Sequence, residues 1–534
     1  MPESDCYRAL ELEMTNPVPT DGRPTARRRR GRTALIAGLL VTAVTVAGCA
    51  GLQKSTDGAG TGGVPTTVRV AYEAPISTLD PLRSGSFADQ QVQYLINGQL
   101  TKFGAGNDLG QPSLAQRVTE SADRLTWTAV LRPDLVFSDG TPITAEDVVA
   151  SFRRVLDDPA GSKLPEYTDL KNVTSPGPGT VTFTLSRPRA SFSGILAQNS
   201  ATIYPAAGLR QGQAFFAKPV SAGRYQVDSA DFVAGHIVLS ANPHYPGTPQ
   251  KVRRVEFTLV PDAATRLAQL QNAEVDYAHN LPTNLIPQMR GAVHQQNSTF
   301  PGGMIPLFLN YAGIMGNTNV RQAINLAVDR DQISRAALAG VMQPKYGFFP
   351  ADQVSGQPKT TRNVAEAKRL LNGTPCEHGC TVKFLLLPDF NWQIPPVTTV
   401  VQQNLKDIGI DVQLLTTPIS TFAKRTQQGG FDGFVLTPAS LIDRPDLVAA
   451  RQLDPAGSYN TSYHLNVAAP QLHDLVQQLE VAPAAQQPAI AQQAEQVFAR
   501  ELPFIPLTEL TFVSGSRLPA EQLSTTLGWY LNLP

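Results

Sequence analysis

The stretch from Leu135 to Asp158 constrains the local fold more tightly than any other part of this 534-residue chain. A turn is predicted at Gly140, because glycine tolerates positive φ. Thr144 then stands at a helix N-cap, where its hydroxyl accepts the backbone N–H of Asp147 and the Asp147 carboxylate reaches back, in a variant of the capping box. Apolar residues follow at helical spacing, namely Val148, Val149, Phe152, Val155 and Leu156. The stretch therefore predicts a turn and a capped amphipathic helix.

The same stretch, read as FSDGTPITAEDVVASFRRVL, resembles the signature F-x-D-G-x-P-[LIF]-T-A-x-D-V of the family 5 extracellular solute-binding proteins. Members of that family are receptors of ABC importers for peptides, nickel and related solutes. Other phrases of the family occur in the family's order. They are LDP at Leu79–Pro81, KPVSAGRY at Lys218–Tyr225 in place of P-x-G-T-G-P-Y, EVD at Glu274–Asp276, VRQAINLAVDR at Val320–Arg330 and PFIPL at Pro503–Leu507. The resemblance spans Val68 to Thr511.

The resemblance implies an α/β fold of the periplasmic-binding-protein type. Its type II form has two lobes, joined by two crossovers, that close on a ligand by hinge motion, and an extra subdomain inserted in one lobe. The alternation of strands and helices between Val382 and Leu414 agrees, because it predicts a lobe of βαβ type. We expect lobe I at 67–93, 218–301 and 499–534, the inserted subdomain at 94–217, and lobe II at 302–498.

A lipoprotein signal peptide is predicted at residues 1–48. The basic block Arg27–Arg32 precedes an apolar run of 16 residues, Thr33–Gly48, which is shorter than a membrane-spanning helix. Val46–Cys49 resembles the bacterial lipobox, so Cys49 is expected to carry a lipid and residues 49–66 to form a flexible tether. A cysteine that follows a signal by chance is the alternative. The start at Met1 or Met14, and export by the Sec or the twin-arginine route, both stay open.

Composition and motifs argue against other classes of function. The formal net charge is zero, whereas a general nucleic-acid binder shows a basic excess. The sequence contains no HExxH, GxSxG, Walker loop or GxGxxG, and its histidines, at 236, 244, 279, 294, 378, 464 and 473, lack metal-site spacing. We therefore expect no enzyme activity, no metal and no cofactor. Cys376 and Cys380 are expected to form a small disulfide, with a zinc site that includes His378 as the alternative.

Ligand contacts are expected where loops leave strand ends between the lobes. Peptide-binding members carry a phrase like G-W-x-x-D-Y-x-x-P, whose aspartate pairs with the peptide α-amine, but an ungapped match here puts Pro438 and Leu441 at the tryptophan and the aspartate. Asp443 is either the amine partner in a shifted loop or a turn carboxylate, and Glu73 is the second candidate. Trp392 either contacts the ligand or packs in the core, and Arg425 either binds a ligand carboxylate or is solvated. The candidate ligand residues are Tyr72, Glu73, Phe390, Asn391, Trp392, Arg425, Thr437, Ala439, Ser440 and Asp443.

Together these observations predict a lipid-anchored receptor of an ABC importer. We expect an exported monomer, held in the cell envelope or periplasm at the outer face of the bacterial cell membrane. It would capture di- or oligopeptides in the cleft between its lobes and deliver them to a membrane permease. Two alternatives stay open: the same role for a non-peptide ligand such as haem, a nickel chelate or a glycoside, and a surface lipoprotein that acts as a scaffold or sensor.

Overall fold

The computed structural model describes residues 64–84, 86–103, 109–159, 161, 164–350, 353–355, 357, 359–437, 445–526 and 530–534. The predicted signal peptide, Cys49 and most of the predicted tether lie outside these residues. Within the described ranges, no helix combines the length and the apolar composition needed to cross a membrane.

Strands and helices alternate along the described chain. The strands are β1 (Thr67–Tyr72), β2 (Thr101–Phe103), β3 (Leu109–Pro112), β4 (Ala115–Glu120), β5 (Thr126–Leu131), β6 (Leu170–Gly177), β7 (Thr180–Leu185), β8 (Tyr225–Asp231), β9 (His236–Ala241), β10 (Arg254–Leu259), β11 (Tyr277–Ala278), β12 (His294–Leu309), β13 (Cys380–Leu386), β14 (Ile410–Thr416), β15 (Gly433–Val435), β16 (Phe504–Ser516), β17 (Ser524–Thr526) and β18 (Tyr530–Asn532). The α-helices are α1 (Phe87–Ile96), α2 (Ala145–Asp157), α3 (Phe192–Ile195), α4 (Ala206–Leu209), α5 (Ala263–Gln271), α6 (Thr318–Ala327), α7 (Arg330–Gln332), α8 (Val364–Leu371), α9 (Ile394–Lys406), α10 (Ile419–Gln427), α11 (Pro445–Gln452), α12 (Ser458–Ser462), α13 (Pro470–Val481) and α14 (Gln487–Glu501).

Ten of the strands in the described part form one mixed sheet. Their order is β14-β13-β15-β12-β16-β11-β1-β10-β9-β8. Strand β1 is parallel to β10 and β11, and β13 is parallel to β14 and β15. Parallel strands need crossover connections. Helix α9 connects β13 to its neighbour β14, α10 connects β14 to β15 on the other side of β13, and α5 connects β10 to β11 on the other side of β1. We call the side with β1, β8, β9, β10 and β11 the first lobe, and the side with β13, β14 and β15 the second lobe.

Two long strands, β12 and β16, pair antiparallel and pass from one lobe to the other. The part of β12 that starts at His294 lies on the β11 side of the sheet, and the part that ends at Leu309 pairs with β15. Between Thr299 and Met304 the register shifts, and Gly302 there has a φ of 67°. These strands are the two crossovers of the predicted fold, and the irregular point between the lobes is where bending is least restrained.

A separate antiparallel sheet of order β4-β5-β7-β6 carries α2, and we call this unit the subdomain. The predicted capping box is confirmed: the Thr144 hydroxyl accepts the N–H of Asp147, and the Thr144 N–H donates to Asp147 Oδ2 at 2.9 Å. The helix buries Val148, Phe152 and Val155. Phe152 meets Phe183 of β7 edge-on, with ring centroids 4.9 Å apart. Local capping and the apolar face thus fix the helix on its sheet.

We predict that Thr144→Ala lowers the free energy of unfolding by about 1 kcal/mol, because the first turn of α2 loses its side-chain acceptor. Urea unfolding followed by circular dichroism measures the change. As a control, Thr421→Ala removes an exposed hydroxyl from α10, and its effect should stay within about 0.5 kcal/mol. Equal effects of the two substitutions would contradict a capping role for Thr144.

Candidate functional site

A polar cluster lies where β1 and β11 end. The two strands are parallel neighbours, with Ala71 opposite Ala278, so the residues that follow them emerge at the same edge of the sheet. His279 Nδ1 lies 3.0 Å from Glu73 Oε2, and Asn280 Nδ2 donates to Glu73 Oε1 at 3.1 Å. Two side chains that follow β11 thus hold the carboxylate that follows β1.

The Glu73 carboxylate stays ionised although it is largely buried, with 23% of the side chain exposed. Burial acts to raise the pKa of Glu73. Electrostatic attraction to the His279 ring, the hydrogen bond from that ring and the charge of Arg266 outweigh burial, and lower the pKa of Glu73 to about 2. The partly exposed Glu73 carboxylate is therefore charged at neutral pH.

The buried guanidinium of Arg266 supports this cluster from behind. It donates to the backbone carbonyls of His279 and Asn280, at 3.1 Å each, and to those of Val260 and Pro261 at 2.7 and 2.8 Å. Burial lowers the pKa of Arg266. Asn280 has a φ of 48°, the left-handed conformation that asparagine tolerates better than most residues. Arg266 thus fixes the backbone that aims the Asn280 amide.

The second lobe reaches the same cluster through Trp392. This residue lies in the loop between β13 and α9, and its Nε1–H donates to Asn280 Oδ1 at 2.9 Å. Asn280 therefore bonds Glu73 with its amide nitrogen and Trp392 with its amide oxygen. The result is a continuous polar chain, His279–Glu73–Asn280–Trp392, which we call the bridge, between the two lobes.

Other predicted ligand residues lie around the bridge. Asn391, beside Trp392, donates to Thr437 Oγ1 at 3.4 Å, and Phe390 in the same loop leaves 39% of its surface exposed. Tyr72 is buried and stacks on the His279 ring, with centroids 4.8 Å apart, so its ring supports that imidazole. The predicted residues Ala439, Ser440 and Asp443 lie outside the described residues.

Arg425 is not brought to the bridge. Helix α10 starts beside Asp389 at the carboxyl ends of the second-lobe strands and runs back along them. In its last turn, Arg425 donates to the carbonyls of Gly429 and Gly430, before β15 begins. A polar cavity of about 470 Å³ opens at this opposite edge, lined in part by Lys383 and Asp432.

Cys376 and Cys380 are joined by a disulfide with an S–S distance of 2.12 Å. That bond uses both thiols that a zinc site with His378 would need. Among the described residues, no group of three or more His, Cys, Asp or Glu side chains is arranged to hold a metal ion.

His279, Asn280 and Arg266 were not predicted from the sequence as site residues. Their partners are remote in sequence, and Glu73 precedes His279 by 206 residues. One signal was available in the sequence: His279 and Asn280 directly follow the phrase EVDYA. Residues that follow two neighbouring parallel strands emerge at the same edge of the sheet, so these two could have been placed near Glu73.

We predict that Glu73→Gln destabilises the protein at neutral pH by about 1–3 kcal/mol, the cost of disturbing a buried charged hydrogen-bond cluster. Because the folded pKa lies below the unfolded value of about 4.3, the contribution of the carboxylate is fully present above that value. It is lost as the pH falls toward the folded pKa of about 2. Urea unfolding of both proteins across this range measures the difference.

The control for this prediction is Glu274→Gln, which changes an exposed carboxylate close in sequence to the bridge. It should show neither the loss at neutral pH nor the convergence in acid. A difference between wild type and Glu73→Gln that stays constant down to about pH 2 would contradict the assigned charge state.

Comparison with known proteins gives a consistent family. The family described as "Bacterial extracellular solute-binding proteins, family 5 Middle" matches residues 110–460. A probable D,D-dipeptide-binding periplasmic protein of Escherichia coli is 29% identical over 379 residues, which cover 68% of this chain and 72% of that protein. A glutathione-binding protein of Shigella dysenteriae is 27% identical over 511 residues, covering 91% and 94%.

Solved structures share the fold. The Brucella suis protein NikA in complex with Fe(III)-EDTA has a TM-score of 0.77 at 20% identity, over 86% of this chain and 97% of that chain. The periplasmic binding protein DppA of Helicobacter pylori, in complex with the peptide STSA, has a TM-score of 0.71 at 21% identity, over 84% and 93%. At these identities the likeness concerns the fold alone, and it confirms the predicted two-lobe α/β class.

Proposed function

This chain belongs to the family 5 bacterial extracellular solute-binding proteins, and from that membership we propose that it is the receptor of an ABC importer for short peptides. The observation that carries the proposal is the bridge. It places an ionised, partly exposed carboxylate, Glu73, at the junction of two lobes. The α-amine of a peptide is a cation, and a charge-assisted hydrogen bond from an ammonium to a carboxylate is stronger than a hydrogen bond between neutral groups.

The carboxylate can recognise a ligand ammonium without a change in its own protonation. Its pKa of about 2 keeps it charged at any pH near neutral. His279 and Asn280 use part of its acceptor capacity, and two carboxylate oxygens offer about four lone-pair sites in total. The relatives named for a D,D-dipeptide and for glutathione support a ligand of the peptide class.

Closure of the lobes completes this site. Trp392 contacts the first lobe through Asn280, whose other amide atom holds Glu73. A ligand that orders Glu73 and Asn280 thereby stabilises the acceptor for Trp392. In this way the occupied cleft favours the closed arrangement, and the closed receptor is the form presented to the permease.

Anchoring completes the proposed role. We infer that Cys49 carries the lipid, which would hold the protein at the outer face of the cell membrane near its permease, and that residues 49–66 give the receptor reach. The family is one of binding proteins, and we assign this member no enzymatic step. We also propose that the lobes and the inserted subdomain meet at residues 94, 218, 302 and 499, as expected from the sequence.

The direct test is identification of the natural ligand. The purified full chain is denatured, and the released small molecules are identified by mass spectrometry. We expect short peptides with free amino termini. A single non-peptide compound, such as a haem, a nickel chelate or a glycoside, would overturn the peptide assignment. A chain that releases nothing and shows no thermal shift with peptide pools would favour a scaffold or sensor.

We predict that Glu73→Gln weakens binding of a released peptide roughly 10- to 100-fold, as expected for loss of a charged hydrogen-bond partner. Calorimetry compares the free peptide with its N-acetylated form, which lacks the ammonium. Wild type should discriminate between them, and the variant should not.

Two further variants separate the alternatives. Glu274→Gln should bind like wild type, because that exposed carboxylate lies outside the bridge. If discrimination against the acetylated peptide persists in Glu73→Gln but disappears in Asp443→Asn, the amine partner is Asp443 and the assignment of Glu73 is wrong.

A further inference from the structure

A buried ionic cluster connects the subdomain to the second lobe. Asp169 and Arg187 flank the subdomain sheet, Arg189 follows it, and Glu480 lies in α13. Arg187 donates to Asp169 at 2.9 Å and to Glu480 at 2.7 Å, and Arg189 donates to Asp169 at 2.6 Å and also to Glu480. The side chains of Arg189 and Glu480 are 2% and 4% exposed. We call these four residues the ionic cluster.

Further contacts surround the ionic cluster on the same face. Arg451 of α11 pairs with Glu166 of the subdomain at 2.5 Å, and both side chains are largely buried. The N–H of Ala190 donates to the carbonyl of Glu480 at 3.3 Å, which is a backbone bond between the two units. Leu447 of α11 packs into the hydrophobic core of the subdomain.

The helices on one side of this contact belong to the second lobe. Leu472, Val476 and Leu479 of α13 share the hydrophobic core that contains Phe384 of β13. The subdomain has its own core around α2. The chain route between the two units passes through the first lobe and the crossover strands β12 and β16. Hinge opening at the irregular point of β12 would therefore separate the two sides of the ionic cluster.

We propose that the ionic cluster is an interlobe latch, which sets the population of the closed receptor without touching the ligand. Opening would expose Glu480 and remove both of its arginine partners, while Arg187 and Arg189 would keep Asp169. The latch is separate from the bridge, because none of its residues contacts Glu73, Asn280 or Trp392 in the described structure. Residues that shift the closed fraction change the apparent affinity for any ligand that binds the closed form.

The geometry favours a latch over ordinary surface pairing. Exposed ion pairs contribute little, and a buried pair stabilises closure only where good geometry and multiple hydrogen bonds outweigh the desolvation of its charges. The two arginines hold both oxygens of Glu480, so the contact has a defined orientation. The uncharged contacts, Leu447 in the subdomain core and the backbone bond from Ala190 to Glu480, also join the subdomain to the second lobe. The arrangement is therefore directional and forms only when the second lobe reaches the subdomain.

The test follows amide hydrogen exchange at Ala190 in the full chain, which is first unfolded and refolded to remove any copurified ligand, so its outcome does not depend on the proposed ligand. Arg187→Gln removes two of the bonds across the contact from a side chain that is already 33% exposed, so this variant should fold. We expect exchange at Ala190 to become roughly tenfold faster, as for loss of a charged hydrogen bond. Glu480→Gln should accelerate it at least as much.

Two comparisons decide the result. Arg369→Gln, which removes an exposed pair on α8, should leave exchange at Ala190 unchanged. The amides of β12 and β16 report global unfolding and should not accelerate in the latch variants. Unchanged exchange at Ala190 in folded Arg187→Gln would overturn the latch. Equal acceleration at Ala190 and in the crossover strands would also overturn it, because it would show a general loss of stability.

Discussion

The pairing of β12 with β16 is the constraint on which the rest of the described structure depends. These two strands belong to both lobes, so every contact between the lobes must form within the movement that the strands allow. Their irregular register around Gly302 lies between the first-lobe and second-lobe parts of the sheet. Next to the pair on one side are β11 and β1, which are parallel to each other, and on the other side are β15 and β13, which are also parallel to each other. The loops after β1, β11 and β13 meet where the lobes face each other. The site follows from this topology.

Asn280 gives the junction its chemistry. Its left-handed backbone, fixed by Arg266, lets one amide serve Glu73 and Trp392 together. The neighbours of the carboxylate lower its pKa, although burial acts to raise it. The remote ionic cluster uses opposite charges in a different way, to join two surfaces. The bridge and the ionic cluster are thus built from different residues, so we expect that substitutions can change the one without the other.

The sequence predicts well what is local. The cap at Thr144 and the apolar face of α2 depend on neighbouring residues, and the structure has both. The fold class followed from phrases that resemble a family. The bridge was only half predictable: Glu73 and Trp392 were identified by position, but Asn280 acts through a positive φ and through partners far away in sequence. Arg425 lies away from the bridge because its helix runs back from the strand ends that carry Glu73 and Trp392.

The most direct measurement is a crystal structure of the receptor with the ligand that copurifies with it. We predict a ligand between the lobes, with a cationic nitrogen within hydrogen-bonding distance of Glu73 and with the Trp392–Asn280 bond intact. A ligand bound elsewhere, such as in the cavity beside Lys383 and Asp432, or one that turns an anionic group toward Glu73, would contradict it.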